Sequence, residues 1–249
     1  MNIKASASIL LFALGTFAYM GQVDCSSKVE FMPMTRTYEF TLPPLPYSYN
    51  FLEPVLTSQI LYAHHDHHHQ SYTDKLNQYV TDNPELSDNT IVELLYLAKD
   101  DQTLQKHAGG YYNHLLYWWV MTNQHCSSEK PSGKLLEQIE KQWGSFEDFQ
   151  SEFLDSEKSV FGSGWTWLCV NEEEELEIRN TKNQINPLME VDEDICYPFF
   201  TNDIWEHAWY LKYMWDKATY FENYWKIVDW DLVSYFYENY SSKLEAIPL

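Results

Sequence analysis

Basic residues are scarce in this chain: 16 Lys and Arg stand against 37 Asp and Glu, a formal net charge of −21 over 249 residues. So acidic a surface excludes nucleic acid and an anionic membrane as partners, since both carry the same sign. It also opposes the approach of any anionic substrate. Cysteine occurs only at Cys25, Cys126, Cys169 and Cys196, with no C-x-x-C spacing. Beyond the N-terminus no apolar run is long enough to cross a bilayer, and no segment repeats.

Residues 1–25 read as a secretory signal, with Lys4 in a short basic start and an apolar run from Ala5 to about Tyr19. Val23 and Cys25 suit cleavage before Ser26, and earlier sites are open. The segment has no Arg, unlike a mitochondrial transit peptide, which is the alternative address. The expected destination is secreted or the endomembrane lumen, with no stable membrane insertion after cleavage. Loss of Cys25 leaves three cysteines, hence at most one disulfide and one free thiol. Asn239-Tyr240-Ser241 is a glycosylation acceptor by pattern.

Aromatic residues, by contrast, make up 17% of the chain, including 19 Tyr and 10 Trp. Such a core brings hydroxyl and indole donors among apolar groups, which suits a polar site inside a dry shell. The length allows one large core or two modest ones. A polar linker over 26–37 leads into a proline-bearing extended stretch from Tyr38. Residues 58–82 follow a helical period that stacks His64, His68 and Tyr72 on one face, with His65 and His69 pointing elsewhere. Ser87 or Asp88 can cap a helix to Lys99, and Asp101 or Thr103 opens another to about Thr122 that carries His107, His114 and Trp118. Gly109-Gly110 inside that helix implies close approach by a backbone or a bulky group.

A polar connection over 127–133 is the best boundary. It separates a helical hairpin domain over 38–126 from a second domain over 133–242, with a tail over 243–249. The second domain opens with two helices, over 133–143 and 146–158. Strand patterns follow at 164–170, 176–179 and 197–200, and then helices over 206–217 and 220–240. The fold class is α+β, with a small three-stranded antiparallel sheet flanked by helices.

The most informative stretch is Asp203-Ile204-Trp205-Glu206-His207-Ala208-Trp209-Tyr210, a carboxylate and an imidazole four positions apart among large aromatics. Buried groups of this kind are costly unless paired or holding a metal. With His64 and His114 the candidate ligands become three imidazoles and one carboxylate, a set suited to manganese or iron, and to zinc by ligand type alone. Alone, the tract His64-His65-Asp66-His67-His68-His69 also reads as a surface zinc-binding run.

From Phe40 to Tyr240 the chain resembles the iron/manganese superoxide dismutases. The resemblance rests on Leu42-Pro-Pro-Leu-Pro-Tyr47, Leu52-Glu-Pro54, the run from His64 to Tyr72, Ala108-Gly-Gly110, Asn113-His114, Gly162-Ser-Gly-Trp-Thr-Trp167 and the stretch from Asp203 to Tyr210. It implies one manganese or iron ion per subunit held by His64, His114, Asp203 and His207. It implies a channel lined by Tyr72 and His68, and an aromatic shell of Trp118, Trp165, Trp167 and Trp205. Iron types bring a glutamine from the position held here by Gly110, manganese types from the second half, where Gln184 stands. Manganese is therefore favoured. The implied substrate is superoxide. The implied assembly is a homodimer, possibly paired into a tetramer, in which Glu206 reaches the partner's His207 and Tyr210 the partner's His68.

The chain departs from the family pattern at the mouth of the channel. Lys217 stands where an Arg is usual, without that residue's planar fork, and His67 where a Lys is common. Val55 replaces a His, and Tyr111-Tyr112 is bulkier than usual. Fewer fixed positive charges imply slower capture of superoxide than in a typical member. The alternative reading is a dismutase-like structural or metal-binding subunit with weak turnover.

Overall fold

Thr57 accepts a hydrogen bond from the Ile60 amide and starts α1 (Ser58–Tyr62), which continues through a π-helical stretch (Ala63–His69) into α2 (Gln70–Asp82). The computed structural model describes residues 23–190 and 194–249, so the expected leader lies outside the described residues up to position 22. The wider π turn brings His64, His65 and His69 all into the interior, where a regular period puts only part of the tract inside.

A capping box between Thr90 and Glu93 opens α3 (Ile91–Leu97), later than the Ser87 or Asp88 start expected, because Ser87 closes a 3₁₀ turn (Pro84–Leu86) and the chain turns again through Asp88. Asp101 accepts from Thr103 and Leu104 amides and opens α4 (Gln102–Trp119), as the sequence predicts. The helix packs along α2. The glycine pair is explained directly. A Cβ at Gly109 would sit 1.9 Å from the Gln184 carbonyl oxygen, and one at Gly110 would sit 2.4 Å from the Tyr72 ring.

The second half opens with α5 (Gly133–Trp143) and α6 (Phe146–Ser159), the latter capped by Ser145. Strands β1 (Gly164–Asn171), β2 (Leu176–Lys182) and β3 (Cys196–Asp203) form an antiparallel sheet in the order β2-β1-β3. β1 is central and buried along nearly its whole length, so the expected strand is present but covered on both faces. The register places Trp165 opposite Asp203 on one side and Thr181 on the other. The single helix expected over 206–217 is instead a 3₁₀ turn (Glu206–Ala208) followed by the short α7 (Tyr210–Tyr213). Met214, at φ 54°, ends it, and Asp216 recaps the chain into α8 (Lys217–Tyr224). α9 (Trp230–Asn239) follows, capped by Asp229. One hydrophobic cluster runs through both halves, which makes the core single rather than double.

The described stretches over 28–34 and 247–249 are held against the core. The Lys28 ammonium donates to Asp229 Oδ2 at 2.6 Å and to the Trp119 carbonyl at 2.7 Å, while Phe31 packs edge-on against Trp119 and Phe236. Met34 N donates to Pro248 O at 2.9 Å, and Ile247 and Leu249 are buried. The stretches read as linker and tail are thus two straps that meet. The cysteine expectation is overturned: Cys25 pairs with Cys126 and Cys169 with Cys196, leaving no free thiol among the described residues. The count of three rested on cleavage after Cys25; with Cys25 present, all four cysteines pair.

Candidate metal centre

Four side chains converge from four segments: His64 from the π-helical stretch, His114 from α4, Asp203 from the end of β3 and His207 from the 3₁₀ turn after it. One ligand atom from each lies within 4.8 Å of all the others. The three imidazole Nε2 atoms are aimed at the same oxygen, Asp203 Oδ2, at 3.1 Å from His64, 3.3 Å from His207 and 3.9 Å from His114. Donors each about 2.1 Å from one ion lie about 3–4 Å apart, which these separations match. The other carboxylate oxygen, Oδ1, accepts from the Trp205 amide at 2.8 Å, so Asp203 has only Oδ2 to offer the site.

Protonation follows the same logic. His64 and His114 are fully buried, and burial, then the neighbouring imidazoles, hold both well below the usual imidazole range. They are neutral, the form that binds metal. His114 Nδ1 donates to the Gly110 carbonyl at 2.6 Å, which leaves Nε2 as the lone-pair nitrogen. Neither His64 nitrogen nor His114 Nε2 has a hydrogen-bond partner, although all are shielded from solvent. Buried polar atoms left unpaired in this way are what a bound cation would satisfy. The donor set of three nitrogens and one carboxylate oxygen fits manganese or iron.

Around the ligands lie the residues the sequence singled out. The Gln184 amide donates to the Tyr72 hydroxyl at 3.0 Å, and Gln184 Oε1 accepts from Trp165 Nε1 at 3.0 Å. Burial raises the Tyr72 phenol above its ordinary range against the opposing Gln184 bond, so it stays protonated. His68 stacks on His207 at 4.2 Å and is pushed down to about 4, by burial first and then by His207. Trp118 lies 4.7 Å from His64 and Trp205 stacks on His207 at 5.4 Å. Trp167 stands behind Trp165, its indole donating to Thr181 Oγ1. An open cleft of about 510 Å³, bearing Lys106 and Lys182, reaches Gln184 and Trp205 from outside.

Other expected residues are placed differently. Lys217 is drawn inward, donating to Val160 O at 3.3 Å and lying over Phe221. Glu206 and Tyr210 are exposed. The surface zinc tract does not form: His65 uses its nitrogens on Asp66 and Pro43 O, and His69 uses its own on Tyr111 O and Trp118. At Asn239 the amide donates to Tyr235 O and Ser241 is buried, so the glycosylation pattern is engaged in the fold.

Some contributors carry no sequence signal of their own. Asn113 donates to Gln184 O and Oε1 and accepts from Asn186, steadying the glutamine from behind. Asn113 does stand beside a ligand in a quoted motif, but its task depends on a loop 71 positions away. Tyr117 tilts over His64 at 5.4 Å.

Comparison with known proteins agrees with this geometry. Residues 39–122 match the family model for the alpha-hairpin domain of iron/manganese superoxide dismutases, and residues 131–235 match that for the C-terminal domain. The chain is 38% identical over 204 residues to Superoxide dismutase [Mn/Fe] 2 of Staphylococcus aureus, covering 80% of this chain and 98% of the relative. It is 35% identical over 202 residues to Superoxide dismutase [Mn] of Acinetobacter baylyi, covering 81% and 88% respectively. With Superoxide dismutase [Mn] 3 of Leptolyngbya boryana it shares 36% over 198 residues, covering 78% and 80%. Together with the convergence of His64, His114, Asp203 and His207, these matches establish that the chain belongs to the iron/manganese superoxide dismutase family.

Proposed function

We propose that the protein converts superoxide to dioxygen and hydrogen peroxide with one manganese ion, working as an exported homodimer. The observation that carries the reading is the meeting of three imidazole nitrogens on Asp203 Oδ2 beside the Gln184–Tyr72 hydrogen bond. A manganese or iron ion held by His64, His114, Asp203 and His207 would supply one-electron redox chemistry between two superoxide ions. Two superoxide ions and two protons thereby become one dioxygen and one hydrogen peroxide.

The chain's own part is to hold and to exclude. His64, His114 and His207 with a single carboxylate would give a bound ion a modest ligand charge, and the Trp205 amide fixes which oxygen faces inward. Tyr72 keeps its proton on the hydroxyl and holds it next to the Gln184 amide, the pair best placed to hand protons to the reduced substrate. Trp118, Trp165 and Trp205 wall the centre against larger ligands.

Manganese is supported by Gln184 arriving from the second half while Gly110 leaves its place to the Tyr72 ring. Export is supported by two disulfides, a pattern of oxidising compartments. The Cys25 bridge then requires any leader to end before Cys25. A dimer is supported by Phe161 and Trp215, 99% and 89% exposed, on loops joined through the Lys217 contact to Val160 O and adjoining exposed Tyr210. The deciding experiment is metal analysis, dismutase assay and light-scattering mass on the full chain made through a secretory route. A monomer lacking manganese and activity overturns the reading.

A further inference from the structure

Glu157, on α6, is completely buried, yet it sits in no ion pair within contact distance among the described residues. One of its oxygens, Oε1, accepts from Asn202 Nδ2 at 2.6 Å, and the other, Oε2, has no hydrogen-bond partner. Asn202 immediately precedes the metal-site residue Asp203 on β3. Successive strand side chains face opposite ways. Asp203 therefore faces the metal centre, while Asn202 faces α6 and α8. Its remaining group, Oδ1, accepts from the Tyr220 hydroxyl at 2.7 Å, and the same hydroxyl lies 3.1 Å from the Asp203 carbonyl oxygen. Tyr220 also meets the Tyr117 hydroxyl at 3.1 Å, and Tyr117 tilts over His64. A continuous buried chain thus runs from Glu157 through Asn202 and Tyr220 to the backbone of one ligand and the ring face of another.

We propose that Glu157 is a positioning residue for Asp203, acting through Asn202 and Tyr220. The inference rests on the metal-centre reading above. Asn202 is the pivot. Its amide has an acceptor partner on α6, Glu157, and a donor partner on α8, Tyr220, so its plane is set from both sides, and with it the end of β3 that presents Asp203. Removing the Glu157 acceptor leaves a buried amide unpaired, which favours rotation of the carboxamide. Tyr220 then loses its stronger partner. Burial drives Glu157 well above the usual carboxylate range, opposed by the Asn202 bond and by Lys217 and Lys158. A neutral acid in this place is mimicked by glutamine, which keeps the accepting oxygen.

The test is Mn²⁺ affinity by competition with a chelator, together with urea unfolding of metal-free and metal-loaded protein, for wild type, Glu157→Ala, Glu157→Gln and Tyr220→Phe. Outer hydrogen-bond partners of metal ligands typically change affinity by about 10–100-fold. Glu157→Ala and Tyr220→Phe are expected to weaken Mn²⁺ binding in that range, with Glu157→Gln close to wild type. Where Glu157→Ala does not fold, Tyr220→Phe and Glu157→Gln carry the test. Unchanged affinity beside a loss of metal-free stability shows a purely structural role and overturns the proposal. Failure of the wild type to bind manganese or iron overturns the metal-centre reading itself, a separate result.

Discussion

The side chains of Gln184 and Tyr72, 112 positions apart in the chain, meet in a 3.0 Å hydrogen bond across the two halves of the molecule. Gln184 belongs to the loop after β2 and Tyr72 to α2, so their contact exists only when the halves are docked. Replacing Tyr72 with Phe removes the hydroxyl but leaves the ring that Gly110 accommodates. Turnover is expected to fall by roughly 10- to 100-fold, at the low end of what a positioned proton donor supplies. Metal content should stay unchanged. Stopped-flow decay of superoxide with parallel metal analysis checks both.

The glycine pair offers a sharper structural test. Gly109→Ala drives a methyl against a backbone carbonyl at 1.9 Å, whereas Gly110→Ala drives one against an aromatic ring at 2.4 Å. Both should destabilise, by about 1–3 kcal/mol or more. Gly109→Ala should be the worse, because a backbone carbonyl has less room to yield than a side chain. Urea denaturation of the two variants gives the order.

The two disulfides close loops of different size, with partners 101 positions apart for Cys25–Cys126 and 27 for Cys169–Cys196. Chain-entropy reasoning assigns the longer loop about 1 kcal/mol more stabilisation than the shorter, on a base of about 2–4 kcal/mol each. Paired Cys→Ser variants, unfolded in urea under oxidising conditions, should show that ranking. Equal losses would mean that the strap from 23 to 36 stays in place without its bridge.

Glu157 also predicts a pH dependence. Its folded-state affinity for a proton exceeds that of the unfolded chain, because burial raises its pKa well above 4.5. The folded state thus binds more protons in that window, and stability falls as pH rises. Its contribution is complete below the unfolded value and is lost as pH climbs through the folded one. Lys217 and Lys158 face the group and moderate the effect. The difference in unfolding free energy between wild type and Glu157→Gln, followed from pH 4.5 upward, should shrink or reverse to the disadvantage of wild type.

Ionic strength reports on steering. A net charge of −21 repels superoxide at long range, and Lys217 is held inward on Val160 O rather than extended into the mouth. The second-order rate by pulse radiolysis should therefore be flat or rise as salt is added, since screening weakens repulsion. A steep fall with salt would sink this expectation.

What the sequence reveals and what it conceals divides along physical lines. His64, His114, Asp203 and His207 were legible because ligand chemistry needs particular residue types, and types survive in a linear string. Gly109-Gly110 was legible as a demand for space, though not which groups fill it. The π-helical stretch was not, because five-residue hydrogen bonding leaves no hydrophobic period of its own. That geometry moved His65 and His69 into the interior and dissolved the zinc tract. The pairing of Cys25 depended on where the chain's own start is drawn. The Glu157–Asn202 bond joins positions 45 apart and shows as nothing more than one acid among many.

The four ligands divide evenly between the halves, His64 and His114 on one side of the 127–132 connection and Asp203 and His207 on the other. Neither portion owns enough donors to retain an ion by itself. An ion bound by all four would therefore act as a cross-link between the two portions, made of donors that sequence distance keeps apart and folding brings together.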